Sequence, residues 1–171
     1  WSVFIPWKPA TTGVPLFKYI GGMQNTLPTP MMNIINGGCH ANNKIDFQEF
    51  MIIPCGFQTF KESLRAGCEI FNSLKNLLST KNLSTSVGDE GGFAPMINDN
   101  ESALKLIVQA IKKAGFTNGK DVSICLDVAA NELAKKEKYS IHSKKYISVN
   151  KSIQKYLKLI KNYKIKSVED P

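Results

Sequence analysis

The run SVGDEGGFAP, Ser86 to Pro95, sets Asp89 and Glu90 side by side against Gly91 and Gly92. Glycine lets a backbone approach a ligand closely and adopt positive φ, so this turn is suited to presenting a carboxylate rather than to packing. Phe93 and Pro95 follow it, and apolar neighbours that exclude water raise a carboxyl pKa toward general-acid work. Taken alone, the run fits a surface turn with solvated acids better than a catalytic one.

The elements around it decide where such an acid stands. Short apolar runs at Met31 to Ile35, Phe50 to Ile53, Val122 to Leu126 and Ile165 to Val168 have the length of strands. Helical spacing joins Phe60, Leu64, Cys68, Phe71, Leu74 and Leu78 on one face. A second helix follows Asn100 with Leu104, Ile107, Val108 and Ile111 before Gly115 ends it, and a third opens near Asn150 with Ile153, Leu157 and Ile160. Each stripe is expected to face the core. The order is strand, strand, helix, helix, strand, helix, strand, an α/β pattern without repeats.

Between the first two strands lie Gly37, Gly38, Asn42 and Asn43 with no helical periodicity, so an antiparallel hairpin with a wide loop is expected. The end of strand one, the start of strand two and the ends of parallel strands three and four then face one side. On it stand His40, Glu49, Asp127 and Glu169, joined by Glu90 from its turn. Carboxylates gathered where barrel strands end are what an active site on that fold requires. Asp127 and Glu169 are one strand-helix repeat apart and can meet at one hard cation such as Mg²⁺. Each acid by itself reads as well as a cap on the following loop; the pair beside Glu90 favours the metal.

Composition narrows the class. The 171 residues, 43% hydrophobic and 21% charged, suffice for one core and argue against disorder. No apolar run approaches the roughly 20 residues that cross a bilayer, so no membrane span and a cytoplasmic location are expected. Cys39, Cys55, Cys68 and Cys125 show no CxxC spacing and are expected to be mostly buried free thiols. No zinc site is expected at Cys39 and His40, and His142 stands alone in a lysine-rich stretch. The net charge of +8 raises a nucleic-acid partner as an idea, but the lysines read as scattered and Arg65 is the one arginine. A solvated basic surface and no nucleic acid are preferred.

The acid-bearing runs have company. NIINGGCHANNKIDFQEFMIIP from Asn33 to Pro54, SVGDEGGFAP, SICLDVAANE from Ser123 to Glu132 and SVEDP from Ser167 to Pro171 occur in that order. Together they resemble the enolase family, from about GVPLFKYIGG at Gly13 to the last residue. The resemblance implies a TIM-type (β/α)8 barrel, with residues 29–171 its first half and residues 1–28 a divergent lead-in and linker. It further implies a Mg²⁺-dependent lyase of glycolysis, a phosphopyruvate hydratase, that reversibly dehydrates 2-phosphoglycerate to phosphoenolpyruvate. Asp127 and Glu169 match two metal-binding carboxylates, and Glu90 the acid that protonates the leaving hydroxyl. Glu49 matches a second active-site carboxylate, Gln48 a neighbouring substrate contact, and His40 a histidine on a mobile loop at the substrate's phosphate end. A homodimer is implied for the complete protein.

The departures carry their own expectations. Family members have a third metal carboxylate, a lysine base, a second histidine and a phosphate-binding arginine and serine farther along than Pro171, and an α+β domain ahead of the barrel. WSVFIPWKPATT stands where an alanine-rich helical approach is expected, and Asn131 and Leu133 replace a usual serine and aromatic. The expectation is a fragment, truncated at both ends, with open sheet edges, prone to aggregate and without turnover alone. A non-catalytic remnant serving as a binding or structural protein is the alternative.

Overall fold

The computed structural model describes residues 13–23, 26–135, 138–140 and 146–171. His142 and part of the lead-in at residues 1–28 lie outside them. A short helix α1 (Leu16–Gly21) precedes strand β1 (Met32–Asn36), a single 3₁₀ turn (Gly38–His40) and strand β2 (Glu49–Ile53). Helices α2 (Phe60–Thr80) and α3 (Asn100–Lys113) lead to β3 (Ser123–Asp127). After a one-turn helix α4 (Ala130–Leu133) come three short strands, β4 (Ala134–Lys135), β5 (Lys138–Ser140) and β6 (Tyr146–Ser148), then α5 (Val149–Tyr163) and β7 (Ile165–Glu169).

Local chemistry explains the helix boundaries. Thr59 caps α2 by accepting the Glu62 N–H at 3.2 Å, and its hydroxyl donates to the Glu62 carboxylate at 3.0 Å. Asp99 caps α3 through the Ser102 N–H at 2.8 Å, and Gly115, at φ +87°, turns the chain out of the helix.

The main sheet has four strands in the order β1-β2-β3-β7. β1 pairs antiparallel with β2, β2 antiparallel with β3, and β3 parallel with β7, so the expected hairpin and shared side are both present. Ile34, Phe50, Ile52, Ile124 and Leu126 from the strands meet Ile70, Leu74, Leu78, Leu104, Ile107 and Ile111 from α2 and α3 in one core. The described strands leave this sheet open rather than closed into a barrel. A separate three-stranded sheet, β4-β5-β6, was not expected from the lysine-rich sequence there. No described helix is long and apolar enough to cross a membrane.

Three expectations are corrected. In α2 the buried row is Ala66, Gly67, Ile70, Leu74, Leu77 and Leu78, whereas Phe60 and Leu64 are 39% and 42% exposed. In α5, Ile153 and Leu157 are exposed, and Ser152 and Tyr163 are buried, with Tyr156 and Leu159 packed inward beside the half-buried Ile160. Of the cysteines, Cys125 alone is buried, where desolvation pushes its thiol pKa up; Cys39, Cys55 and Cys68 are exposed. Bulky residues alone do not set the facing of α2: Ala66 and Gly67 share its buried side with Ile70, Leu74, Leu77 and Leu78, and a Cβ on Gly67 would collide with the Met32 side chain.

Candidate active site

The site is built at the edge where the four strands share a level. Asn36 is the register partner of Glu49, Glu49 of Asp127, and Asp127 of Glu169. Residues directly opposite on neighbouring strands share a face with Cβ atoms about 5 Å apart, so three carboxylates stand in a row. The loop ends hold this row in place. Asp127 Oδ1 accepts the Ala129 N–H at 3.0 Å, and the Val128 N–H donates to the Glu169 carbonyl at 3.1 Å. Ala129 and Asp170 take left-handed φ values of +48° and +43°, which turn the chain sharply after each strand.

Glu90 arrives from a separate hairpin docked on the free edge of β1. The Phe93 N–H donates to the Ile34 carbonyl and the Asn36 N–H to the Phe93 carbonyl, both at 2.9 Å. Gly88 N–H to Gly92 carbonyl at 2.8 Å closes the hairpin, and Gly91 N–H to Gly88 carbonyl at 3.1 Å closes the turn with Asp89 and Glu90 at its centre. Phe93 does not shield Glu90: its ring stacks on Phe71 in the core at 4.2 Å, and the Glu90 side chain is 47% exposed. His40 Nδ1 lies 3.7 Å from Glu90 Oε1. Gln48 is tied in three times: its N–H donates to the Asp127 carbonyl at 3.1 Å, its carbonyl accepts the Gly37 N–H at 2.9 Å and its Oε1 accepts the Cys39 thiol at 3.4 Å.

Glu49 carries the electrostatic signature of the cluster. Burial raises its pKa first, the charges of Asp127 and Glu90 raise it further, His40 opposes them and Glu169 adds to the rise. A raised folded-state pKa means that, as pH climbs from about 4, the unfolded chain releases this proton before the folded one does. Stability is therefore fully kept below that range and lost as pH rises through the folded value. Glu49→Gln, a neutral isostere, is expected to raise the melting temperature near neutral pH, with the gap closing on acidification. A gap independent of pH would refute it.

Among the described residues, no three His, Cys, Asp or Glu side chains gather closely enough to enclose a metal ion by themselves. The carboxylate row nevertheless fits an ion that takes one or two protein carboxylates and keeps waters, which is the habit of Mg²⁺. All six sequence-designated residues, His40, Gln48, Glu49, Glu90, Asp127 and Glu169, fall at this end of the sheet. Sequence reasoning missed the asparagines that hold the loops. Asn33 Nδ2 reaches the Glu90 carbonyl at 3.4 Å and Asn36 Oδ1 at 3.0 Å, and Asn100 is buried with Oδ1 accepting two backbone N–H groups of the β1–β2 loop. Residue type was their one signal, since an asparagine side chain readily bonds backbone; Asn33 and Asn36 lie within β1 and Asn100 opens α3, where no loop pattern marks them.

The fold and site define the class: an α/β domain with an open sheet whose strand ends collect acids. Residues 24–171 match the family model "Enolase, C-terminal TIM barrel domain". The chain belongs to the enolase family. It is 63% identical over 159 residues to the enolase of Pelagibacter ubique (strain HTCC1062), covering 92% of this chain and 38% of that protein. It is 51% identical over 161 residues to the enolase of Helicobacter pylori (strain J99 / ATCC 700824), again covering 92% and 38%. The chain thus spans 38% of the length of these curated relatives.

Proposed function

We propose that this chain supplies part of the active site of a phosphopyruvate hydratase, which reversibly converts 2-phosphoglycerate to phosphoenolpyruvate and water. The observation that carries the reading is the row Glu49, Asp127 and Glu169, with Glu90 brought to the same end by an independent hairpin. Asp127 and Glu169 would hold Mg²⁺, which when bound supplies positive charge against the doubly charged enolate that forms beside the substrate carboxylate. Glu90 gives its proton to the departing hydroxyl, so that water leaves rather than hydroxide. Gln48 and Glu49 contact the substrate, and His40 faces its phosphate end. A glycolytic reaction of this kind belongs to the cytoplasm, and the native-length protein is read as a homodimer. The 171 residues alone are expected to lack turnover.

The test is formation of phosphoenolpyruvate by the protein at its native length during a Mg²⁺ titration. Turnover should depend on the ion, and Asp127→Asn should raise the concentration needed at least about tenfold. Turnover without the ion, or an unshifted Asp127→Asn titration, would dismiss the assignment.

A further inference from the structure

The contact between His40 and Glu90 does not hold itself in place. It spans 3.7 Å between side chains that are 23% and 47% exposed, and pairs so open to water contribute little. Backbone bonds to β1 already seat the Glu90 hairpin, so what remains is a tie between it and the loop that carries His40.

We propose that Asn43 is a positioning residue, its carboxamide clipping the loop that carries His40 to the turn that carries Glu90. Asn43 Oδ1 accepts the Ile45 N–H at 3.2 Å, which forms a local turn within the loop. Asn43 Nδ2 donates to the Asn36 carbonyl at 3.0 Å, at the end of β1, and to the Pro95 carbonyl at 3.2 Å, at the end of the Glu90 run. The amide orientation is dictated by its partners: two carbonyls can face only the donor end, and an N–H only the oxygen. One side chain therefore ties three segments together.

The returning leg of the loop has its own anchor. Asn100, 2% exposed at the start of α3, accepts the N–H groups of Asp46 and Phe47, each at 3.1 Å. With the leg held there and Asn43 bonded to Asn36 and Pro95, the loop that carries His40 is tied to the run that carries Glu90. The clip is geometric; only its catalytic consequence rests on the hydratase reading.

Asn43→Asp separates the two jobs of this side chain. It keeps Oδ1 for the Ile45 N–H but turns an oxygen toward two carbonyl oxygens, so the local turn survives and the clip does not. Hydrogen exchange of the full chain, followed by mass spectrometry, reads the result. In Asn43→Asp, peptides spanning residues 37–48 and 86–97 should exchange together about tenfold faster or more, while the interior of α2 is unchanged. Asn43→Ala, which lacks the oxygen repulsion, should loosen the same two segments. Loosening confined to residues 37–48, or unchanged exchange in residues 86–97, would overturn the clip. Loss of protection in α2 by both variants would overturn it too, by making Asn43 a determinant of the whole fold.

In the native-length protein, Asn43→Asp should lower kcat about 100-fold and move KM much less, because a misplaced acid costs rate rather than binding. An unchanged kcat alongside faster exchange would refute the positioning role in catalysis. Paired exchange changes in a protein with no hydratase activity even when unsubstituted would support the clip and sink the functional reading instead.

Discussion

Glu90→Gln is expected to lower turnover of 2-phosphoglycerate by about 10²–10⁴-fold in the native-length protein, the usual worth of a positioned general acid. Glutamine preserves the shape and an acceptor for His40 but has no acidic proton to give. Since the proposed step is departure of the hydroxyl, the variant should stop elimination without stopping removal of the proton beside the carboxylate. Deuterium uptake from solvent at that carbon would then continue while phosphoenolpyruvate fails to form. Equal loss of both would reassign Glu90 to the proton-abstraction step. The substrate's KM should change little, because Glu90 stands on an exposed turn and its contact with His40 at 3.7 Å is too long and too wet to organise the site by itself.

The strands were legible because their apolar runs are short and bounded, yet each was read one residue short at the site end. The β1, β2, β3 and β7 ladders include Asn36, Glu49, Asp127 and Glu169, whereas the apolar pattern stops before them. That is a property of the site itself. A polar residue needed at the strand end breaks the hydrophobic pattern at the point where it is still part of the backbone ladder, so periodicity trims off the functional residue. The order and direction of the strands, not the extent of their apolar runs, put these residues on one side.

Helix facing was less legible. In α3, Leu104, Ile107 and Ile111 are fully buried as their spacing required. In α2 and α5 the bulky stripe and the buried face differ, because each buried face also takes in small residues, Ala66 and Gly67 in α2 and Ser152 in α5. Counting large side chains alone turns the expected face away from one that mixes small and large residues. The seating of Glu90 was also illegible: nothing in SVGDEGGFAP says that the run folds back on itself and bonds through Phe93 to β1, because that contact joins residues far apart in sequence.

That seating makes Gly92 the most constrained position in the run. Gly91 has φ +82° with nothing within 4 Å of a built Cβ, so alanine there meets only backbone strain, about 1 kcal/mol. A Cβ on Gly92 would collide with Asn36 Oδ1 and come within 2.8 Å of Ile35 N and 2.9 Å of Ile34 C. Two of those three atoms are backbone of β1, which is held in register by β2 and cannot step aside. Gly92→Ala is therefore expected to cost about 1–3 kcal/mol, and more than Gly91→Ala, in urea unfolding. The chain has one way to reduce that cost, which is to lift the hairpin off β1 and break the Phe93 bonds to Ile34 and Asn36. Relief by that route would leave stability less affected but would carry Glu90 away from His40, with faster exchange across residues 86–95. Unchanged unfolding together with unchanged exchange would mean that the hairpin is not seated on β1 as described, and would remove the ground on which Glu90 was brought to the carboxylate row.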